Sequence, residues 1–125
     1  MAVSSYRQLV VWQKAVELVL EVYRATQDFP KEEMYGLTSQ LRRAAVSVPS
    51  NIAEGQGRSS TGEFKQFLGH AKGSLFELQT QVVIAQKLGF VKDKLASRLL
   101  ELSDEVGRML RGCCRRFARG SLTSH

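Results

Sequence analysis

The sequence predicts an all-α protein folded as an antiparallel up-down-up-down four-helix bundle. Three observations lead to this fold class. Apolar residues recur every three or four positions in four separate segments, and no segment alternates polar and apolar residues as a strand would. The segments are long enough for helices of roughly 30–40 Å, and the connections between them are short. The 125 residues are 43% hydrophobic and 24% charged, which is typical of one soluble domain with one core.

The first helix carries two adjacent apolar stripes. Together they cover about 200° of the helix, a wider arc than one packing surface usually needs. We therefore expect this helix to pack within its own subunit and also against another copy, with the second stripe assigned to the oligomer interface. The first stripe comprises Leu9, Trp12, Val16, Val19 and Tyr23, and the second comprises Val11, Ala15, Leu18 and Val22.

Proline and glycine mark the ends of the second helix. Pro30 suits the first helical position, and Glu32 and Glu33 place negative charge in the first turn, where it complements the helix dipole. Gly55 and Gly57 are expected to end the helix. Its apolar stripe comprises Leu37, Leu41, Ala44, Val48 and Ile52.

The third and fourth helices complete the bundle. Ser60 and Glu63 form a capping box that predicts the start of the third helix, and Gly89 predicts its end. We expect the bundle to span residues 1–118 and residues 119–125 to form a flexible basic and polar tail. The third stripe comprises Phe64, Leu68, Ala71, Leu75, Leu78, Val82 and Ala85, and the fourth comprises Leu95, Leu99, Leu102, Val106, Met109 and Cys113.

A polar seam borders the apolar stripe of the second helix. Pro49 lies beside it and removes one backbone hydrogen-bond donor, so a kink is predicted there. Because the seam borders the core, a structural network is favoured over the alternative of a binding or catalytic row. In that network Arg43 would meet Glu54 or Glu77, and Asn51 would bond carbonyls that the proline leaves free. The predicted members are Gln40, Arg43, Ser47, Asn51, Glu54 and, on the third helix, Glu77.

The central region closely resembles a known bacterial family. The segments FPKEEMYGLTSQLRRAAVSVPSNIAEGQGR and EFKQFLGHAKGSLFEL are similar to the four-helix bundle proteins. That family includes proteins encoded in intervening sequences of the 23S ribosomal RNA gene and the accessory variability protein of diversity-generating retroelements. The resemblance extends from about Tyr6 to about Leu110. It implies a protomer that assembles into a ring, typically a pentamer, and its retroelement members are basic adaptors that bind nucleic acid and a reverse transcriptase.

Positive charge is concentrated at the C-terminal end of the chain. Residues 1–106 hold thirteen Lys or Arg against twelve Asp or Glu, whereas residues 107–125 hold five arginines and no acid. Asp104 precedes Arg108 by four residues, the favourable order for a helical ion pair. The remaining arginines have no such partner, so they predict a basic surface that binds phosphates without reading sequence.

The predicted RNA or DNA contacts are therefore on the fourth helix, with one more in the glycine-rich loop GQGRSSTGE. That loop lacks the Lys-Ser/Thr of a P-loop, so a flexible connector is favoured there. Lys65 and Lys72 share another face of the third helix and are weaker candidates. A purely solubilising role for the arginines stays open. The predicted contacts are Arg111, Arg115, Arg116, Arg119 and Arg58.

No pattern predicts an enzyme, a metal site or a cofactor. His70 and His125 belong to no Ser/His/Asp constellation and to no metal-spaced group. The alternative to nucleic-acid binding is an assembly scaffold or protein adaptor, for example to a reverse transcriptase or a ribosomal component. Neither a membrane span nor a signal peptide is recognisable, and the adjacent Cys113 and Cys114 favour reduced thiols, so a cytoplasmic location is expected.

Overall fold

The computed structural model describes residues 5–58 and 60–123, with side chains as far as Cys114. Within these ranges the ordered elements are all helical, and no strand occurs. Each long helix packs against two others, because α1 contacts α2, α2 contacts α3, α3 contacts α4, and α4 closes against α1. The predicted all-α four-helix bundle is therefore confirmed. The elements are a 3-10 turn at Tyr6–Gln8, α1 at Val10–Thr26, a 3-10 turn at Lys31–Glu33, α2 at Leu37–Gln56, α3 at Thr61–Lys87 and α4 at Asp93–Thr123.

The predicted apolar stripes of α2 and α3 form most of the core. Leu99, Leu102 and Val106 of the α4 stripe join it, whereas the other members of that stripe are only partly buried: Leu95, Met109 and Cys113. Every predicted position of the α3 stripe is buried, and Leu68, Ala71, Leu78 and Ala85 have no exposed surface. Leu37, at the start of α2, lies at the edge of the core. Burying each large side chain stabilises the bundle by about 1.5–3 kcal/mol, so these stripes are the main source of its stability.

The oligomer interface predicted on α1 is wrong. Val11 is 4% exposed, and Ala15, Leu18 and Val22 are 0% exposed, inside the core of a single protomer. The physical reason is that α1 packs against both α2 and α4. Two neighbours within one bundle therefore account for the burial of this second stripe, whereas the first stripe is only partly covered and its Tyr23 is 40% exposed. No surface on this second stripe remains for another copy.

The α2 helix begins later than predicted. Pro30 precedes the 3-10 turn Lys31–Glu33, and the α-helix starts only at Leu37. Oε1 of Glu33 accepts a hydrogen bond from the backbone N–H of Leu37 at 3.0 Å. The acidic side chain thus caps the N-terminus of α2 from the preceding turn, although the residue at the cap position, Gly36, offers no side chain.

The middle and end of α2 are continuous. The helix passes through the buried Pro49 and reaches Gln56, while the predicted kink at Pro49 stays a prediction. Gly57 follows at the C-cap, but Gly55 lies inside the helix and is buried. A Cβ atom at Gly55 would lie 3.0 Å from Cβ of Phe67, so this glycine permits close contact between α2 and α3.

Both ends of α3 lie where the sequence predicts them. Oγ of Ser60 accepts a hydrogen bond from the N–H of Glu63 at 3.1 Å. Gly89 has φ of 81°, and the N–H of Phe90 donates to the carbonyl of Ala85 at 2.9 Å, as in a Schellman motif. The following helix, α4, continues to Thr123, beyond the predicted boundary at residue 118. The division into bundle and tail stays a prediction.

No helix in the described ranges has the length and apolar character needed to cross a membrane.

Candidate functional site

An open groove runs between α3 and α4, and we call it the α3–α4 groove. Its volume of about 100 Å³ is well below the roughly 300–1,000 Å³ typical of small-molecule pockets. It is therefore a surface recess, too small to enclose a metabolite. The residues that line it are Lys72, Leu75, Phe76, Gln79, Asp104, Gly107, Arg108 and Arg111.

A glycine on α4 shapes the floor of the groove. Gly107 is buried, and a Cβ atom added there would lie 3.4 Å from Cδ2 of Leu75 and 3.7 Å from Nη1 of Arg111. The helices thus come close together at this point, and the Arg111 side chain folds back over the glycine. Arg108 and Arg111 are three residues apart and share one edge of α4, with Lys72 across the groove on α3.

The three cations of the groove are not neutralised by neighbours. Among the described residues, Lys72, Arg108 and Arg111 form no ion pair. The ion pair predicted between Asp104 and Arg108 does not form. Oδ1 of Asp104 instead accepts a hydrogen bond from Nε2 of Gln79 on α3, at 3.0 Å. A neutral amide therefore holds the carboxylate, and the groove carries three positive charges against one negative charge.

An exposed aromatic ring lies among these cations. Phe76 is 58% exposed on α3, one turn after Lys72. The sequence pattern gives no role to Phe76 and favours the arginines of the fourth helix over Lys72. The spacing of four residues between Lys72 and Phe76 was visible, but their position opposite Arg108 and Arg111 depends on the register between α3 and α4, which no sequence pattern gave.

The predicted nucleic-acid contacts lie in different places. Arg111 is exposed at the α3–α4 groove. Arg115, Arg116 and Arg119 are on α4 beyond Cys114, and their side chains lie outside the described residues. Arg58 lies after α2, where its Nη2 donates to Oε2 of Glu54 at 3.0 Å.

Arg58 also stacks against an aromatic ring. Its guanidinium carbon is 4.8 Å from the ring centroid of Phe67 on α3. The groove begins at Lys72, about one and a half helical turns further along α3, and neither Phe67 nor Arg58 lines it, so Arg58 belongs to a separate surface.

The polar seam forms hydrogen bonds between α2 and α3. Ser74 of α3 donates its hydroxyl to Oγ of Ser47 at 2.8 Å. Asn51 donates from Nδ2 to the same Oγ at 2.9 Å and to the Ser47 carbonyl at 2.8 Å. Nε2 of Gln81 on α3 donates to Oε1 of Gln40 at 3.4 Å and to Oε2 of Glu77 at 3.5 Å. This seam therefore links two helices within the protomer.

Two members of the predicted seam behave differently. Arg43 is exposed and forms no ion pair with Glu54 or Glu77 in the described part of the chain. Glu54 is also exposed, and it pairs with Arg58 one helical turn later. The predicted ion pair of Arg43 is thus a wrong expectation, because its side chain lies on the solvent side of the seam.

Arg42, the residue before Arg43, is the arginine that makes structural contacts between helices. Nε of Arg42 donates to Oγ1 of Thr26 at 2.8 Å, and its Nη2 donates to the carbonyl of Tyr23 at 3.4 Å. Its guanidinium carbon lies 4.5 Å from the centroid of the Tyr23 ring. Arg42 therefore fastens α2 to the C-terminal turn of α1, where a cation also complements the helix dipole. Periodicity gave no signal for this role.

Comparison with known proteins identifies the family. The family model described as 23S rRNA-intervening sequence protein matches residues 7–112. The fold is similar to the crystal structure of a protein of unknown function from the S23 ribosomal protein family of Bacteroides thetaiotaomicron VPI-5482. The TM-score is 0.76 and the identity is 18%, with 84% of this chain and 98% of that chain covered, a likeness that concerns the fold alone. No curated protein matches the chain. Because the family model spans most of its length, the chain belongs to the 23S rRNA-intervening sequence protein family.

Proposed function

We propose that this protein is a non-enzymatic, cytoplasmic homo-oligomer that binds RNA or DNA without strong sequence specificity. The observation that carries the proposal is the set of uncompensated cations, Lys72, Arg108 and Arg111, at one edge of the bundle. Phosphates bound there would replace condensed counterions, and the release of those ions favours binding. Arg115, Arg116 and Arg119 follow in the sequence and add three positive charges to this part of the chain.

The binding is expected to depend steeply on salt. Three phosphates engaged by one protomer on a single strand predict a log–log slope of about −2. Affinity should then fall about fifteenfold when the salt concentration rises from about 50 to 200 mM. Fluorescence anisotropy with a labelled, unstructured oligonucleotide measures both quantities.

A double variant tests whether the groove is the binding surface. Arg108→Gln/Arg111→Gln removes two charges from the groove, so its affinity should fall at least tenfold at low salt and its salt slope should become shallower. The matched control is Lys92→Gln/Lys94→Gln, which removes two exposed charges at the other end of α4. An equal loss in both variants would contradict a defined site. No binding by the parent protein at low salt would favour the adaptor role instead.

The oligomer we propose is a ring, and a pentamer is what the family resemblance implies. Apolar side chains are exposed on two unlike surfaces near one end of the bundle. Tyr35 is 96% and Met34 49% exposed beside α2, and Leu88 is 58% and Ile84 44% exposed at the end of α3. Contact between two different surfaces is heterologous, and heterologous contacts close into rings when the rotation permits.

Sedimentation analysis tests this association. The parent protein is expected to sediment as a multiple of 14.0 kDa. Tyr35→Glu should shift it toward the monomer, because a charge would be buried in the contact. Lys31→Glu changes an exposed charge in the same turn and serves as the control. A parent protein that remains a folded monomer at micromolar concentration would contradict the ring.

A protein adaptor is the second candidate, and one surface favours it. Tyr23, Met34, Tyr35 and Val46 line an open groove beside α1 and α2, and each is at least 40% exposed. Arg43 lies at the same groove without an ion pair among the described residues. An apolar surface with a free cation fits a partner that carries apolar and acidic side chains.

A further inference from the structure

We infer that the α3–α4 groove binds unpaired strands in preference to duplexes, with a base stacked on Phe76. This inference rests on the proposed function and specifies its ligand. It adds a contribution from an aromatic ring, which the charge argument does not use.

The side chain of Phe76 is largely exposed to solvent. More than half of this large apolar side chain, 58%, faces solvent. Within the described residues it has no aromatic partner, whereas Tyr6, Phe29 and Phe67 each contact another ring. A single exposed apolar residue needs no explanation by itself. Its position among three cations is what gives this ring a specific use.

Positively charged side chains surround the ring of Phe76. Lys72 lies one turn before Phe76 on α3, and Arg108 and Arg111 face it from α4. Grooves that bind single strands combine cations that follow the phosphates with aromatic rings on which bases stack. The α3–α4 groove contains both elements within two helical turns.

Stacking on Phe76 is what would distinguish single strands from duplexes. The faces of bases in a duplex are already stacked on their neighbours, so an aromatic side chain on a protein surface gains nothing from them. An unpaired base exposes its face and is free to stack on Phe76. The cations attract either form, because both carry phosphates. The ring is therefore the element that discriminates between them.

The experiment compares three labelled probes that have the same backbone length. One is an unstructured single strand, one is the same strand with abasic residues, and one is the corresponding duplex. The parent protein is expected to bind the base-bearing strand about five- to a hundredfold more tightly than the abasic strand, the range that stacking of one base supplies. Fluorescence anisotropy at fixed salt gives the three dissociation constants.

The deciding variant is Phe76→Leu. It should reduce affinity for the base-bearing strand to that for the abasic strand, and leave abasic and duplex binding within about twofold of the parent, because the cations are unchanged. Phe76→Trp should keep the preference. Val10→Ala, which shortens an apolar side chain of similar exposure (59%) at the start of α1, should have no effect on it. Circular dichroism and sedimentation verify that each variant keeps its fold and mass.

The outcomes separate this inference from the proposed function. Equal affinity of the parent protein for base-bearing and abasic strands would overturn the inference. So would duplex binding as tight as that of the base-bearing strand, or an unchanged preference in Phe76→Leu. If Arg108→Gln/Arg111→Gln still weakens all three probes, the proposed function stands. A change of mass in Phe76→Leu would place the ring in a contact between copies and overturn the inference. Failure of all three probes to bind at low salt would overturn both.

Discussion

Helix α3 contributes polar side chains to its interface with α2 and to its interface with α4, and the two differ in how those side chains are paired. Towards α2, Ser74 bonds Ser47, which also accepts from Asn51, so these groups satisfy one another. Towards α4, Lys72 faces Arg108 and Arg111, and none of the three forms an ion pair among the described residues. Polar groups that satisfy each other hold a fold together. Towards α4, Gln79 also bonds Asp104, but the three cations beside it lack such partners and remain available to a ligand.

The largest effect is expected from filling the close contact between α2 and α3. Gly55→Leu should destabilise the bundle by about 2–3 kcal/mol, because its Cβ would press on Phe67 at 3.0 Å. Gly73→Leu is the matched control on α3. A Cβ there meets nothing within 4 Å, and leucine favours helix by about 0.8 kcal/mol over glycine. Urea unfolding measures both, and equal stability of the two variants would contradict the close contact.

The hydroxyl pair between α2 and α3 should give the next effect. Ser47→Ala and Ser74→Ala remove the two ends of a hydrogen bond of 2.8 Å, and each should cost about 1 kcal/mol. The double variant should cost less than the sum, with a coupling of about 0.5–1 kcal/mol. Strict additivity in denaturant unfolding would argue that the bond contributes nothing to stability.

A smaller effect is expected from the acid in the α3–α4 groove. Asp104→Asn keeps the oxygen that accepts from Gln79 and removes the negative charge, so stability should change by less than about 0.5 kcal/mol. Affinity for an oligonucleotide at low salt should rise about two- to fivefold, because one repulsive charge is gone. Glu101→Gln makes the same change of charge at another exposed position on α4. A gain in that control as large as in Asp104→Asn would assign the effect to net charge alone.

The smallest effect is expected from Glu54→Ala. The side chains of Glu54 and Arg58 are 56% and 41% exposed, and exposed pairs in adjacent helical turns contribute about 0.3–0.5 kcal/mol. A Glu54 side chain buried with an arginine in the predicted network would instead cost about 3–5 kcal/mol when removed, because a buried charge would lose its partner. A loss of 2 kcal/mol or more in thermal unfolding would restore that earlier interpretation.

Helices were predicted best where the apolar pattern and the end signals depend on residues of that helix alone. The α3 stripe, its capping box and Gly89 were all placed correctly, since each depends on residues close together in the chain. The oligomer interface predicted on the second α1 stripe was wrong. The width of an apolar arc indicates how many surfaces pack against a helix, but it does not tell whether those surfaces belong to the same subunit. The start of α2 was missed because Glu33 caps it from a 3-10 turn.

The candidate site was predictable only in part. Arg111 was identified from the charge of the C-terminal region, but Lys72 was ranked low and Phe76 was missed. Their meeting with Arg108 depends on which residues of α3 and α4 lie side by side, and periodicity contains no such information. The predicted partner of Arg108 was also misleading, because Gln79 from the neighbouring helix competes for Asp104. A local ion-pair rule takes no account of residues distant in the chain.

Gly107 gives a way to survey related sequences for this groove. A methyl group there would lie 3.4 Å from Leu75 and 3.7 Å from Nη1 of Arg111, both ordinary contact distances, so the bundle would tolerate it while the recess became shallower. Relatives with glycine at the aligned position are therefore expected to keep an aromatic residue where this chain has Phe76. Relatives that have a bulky residue in place of this glycine are expected to lack both the recess and the aromatic residue at the position of Phe76. They should use another surface for their ligands.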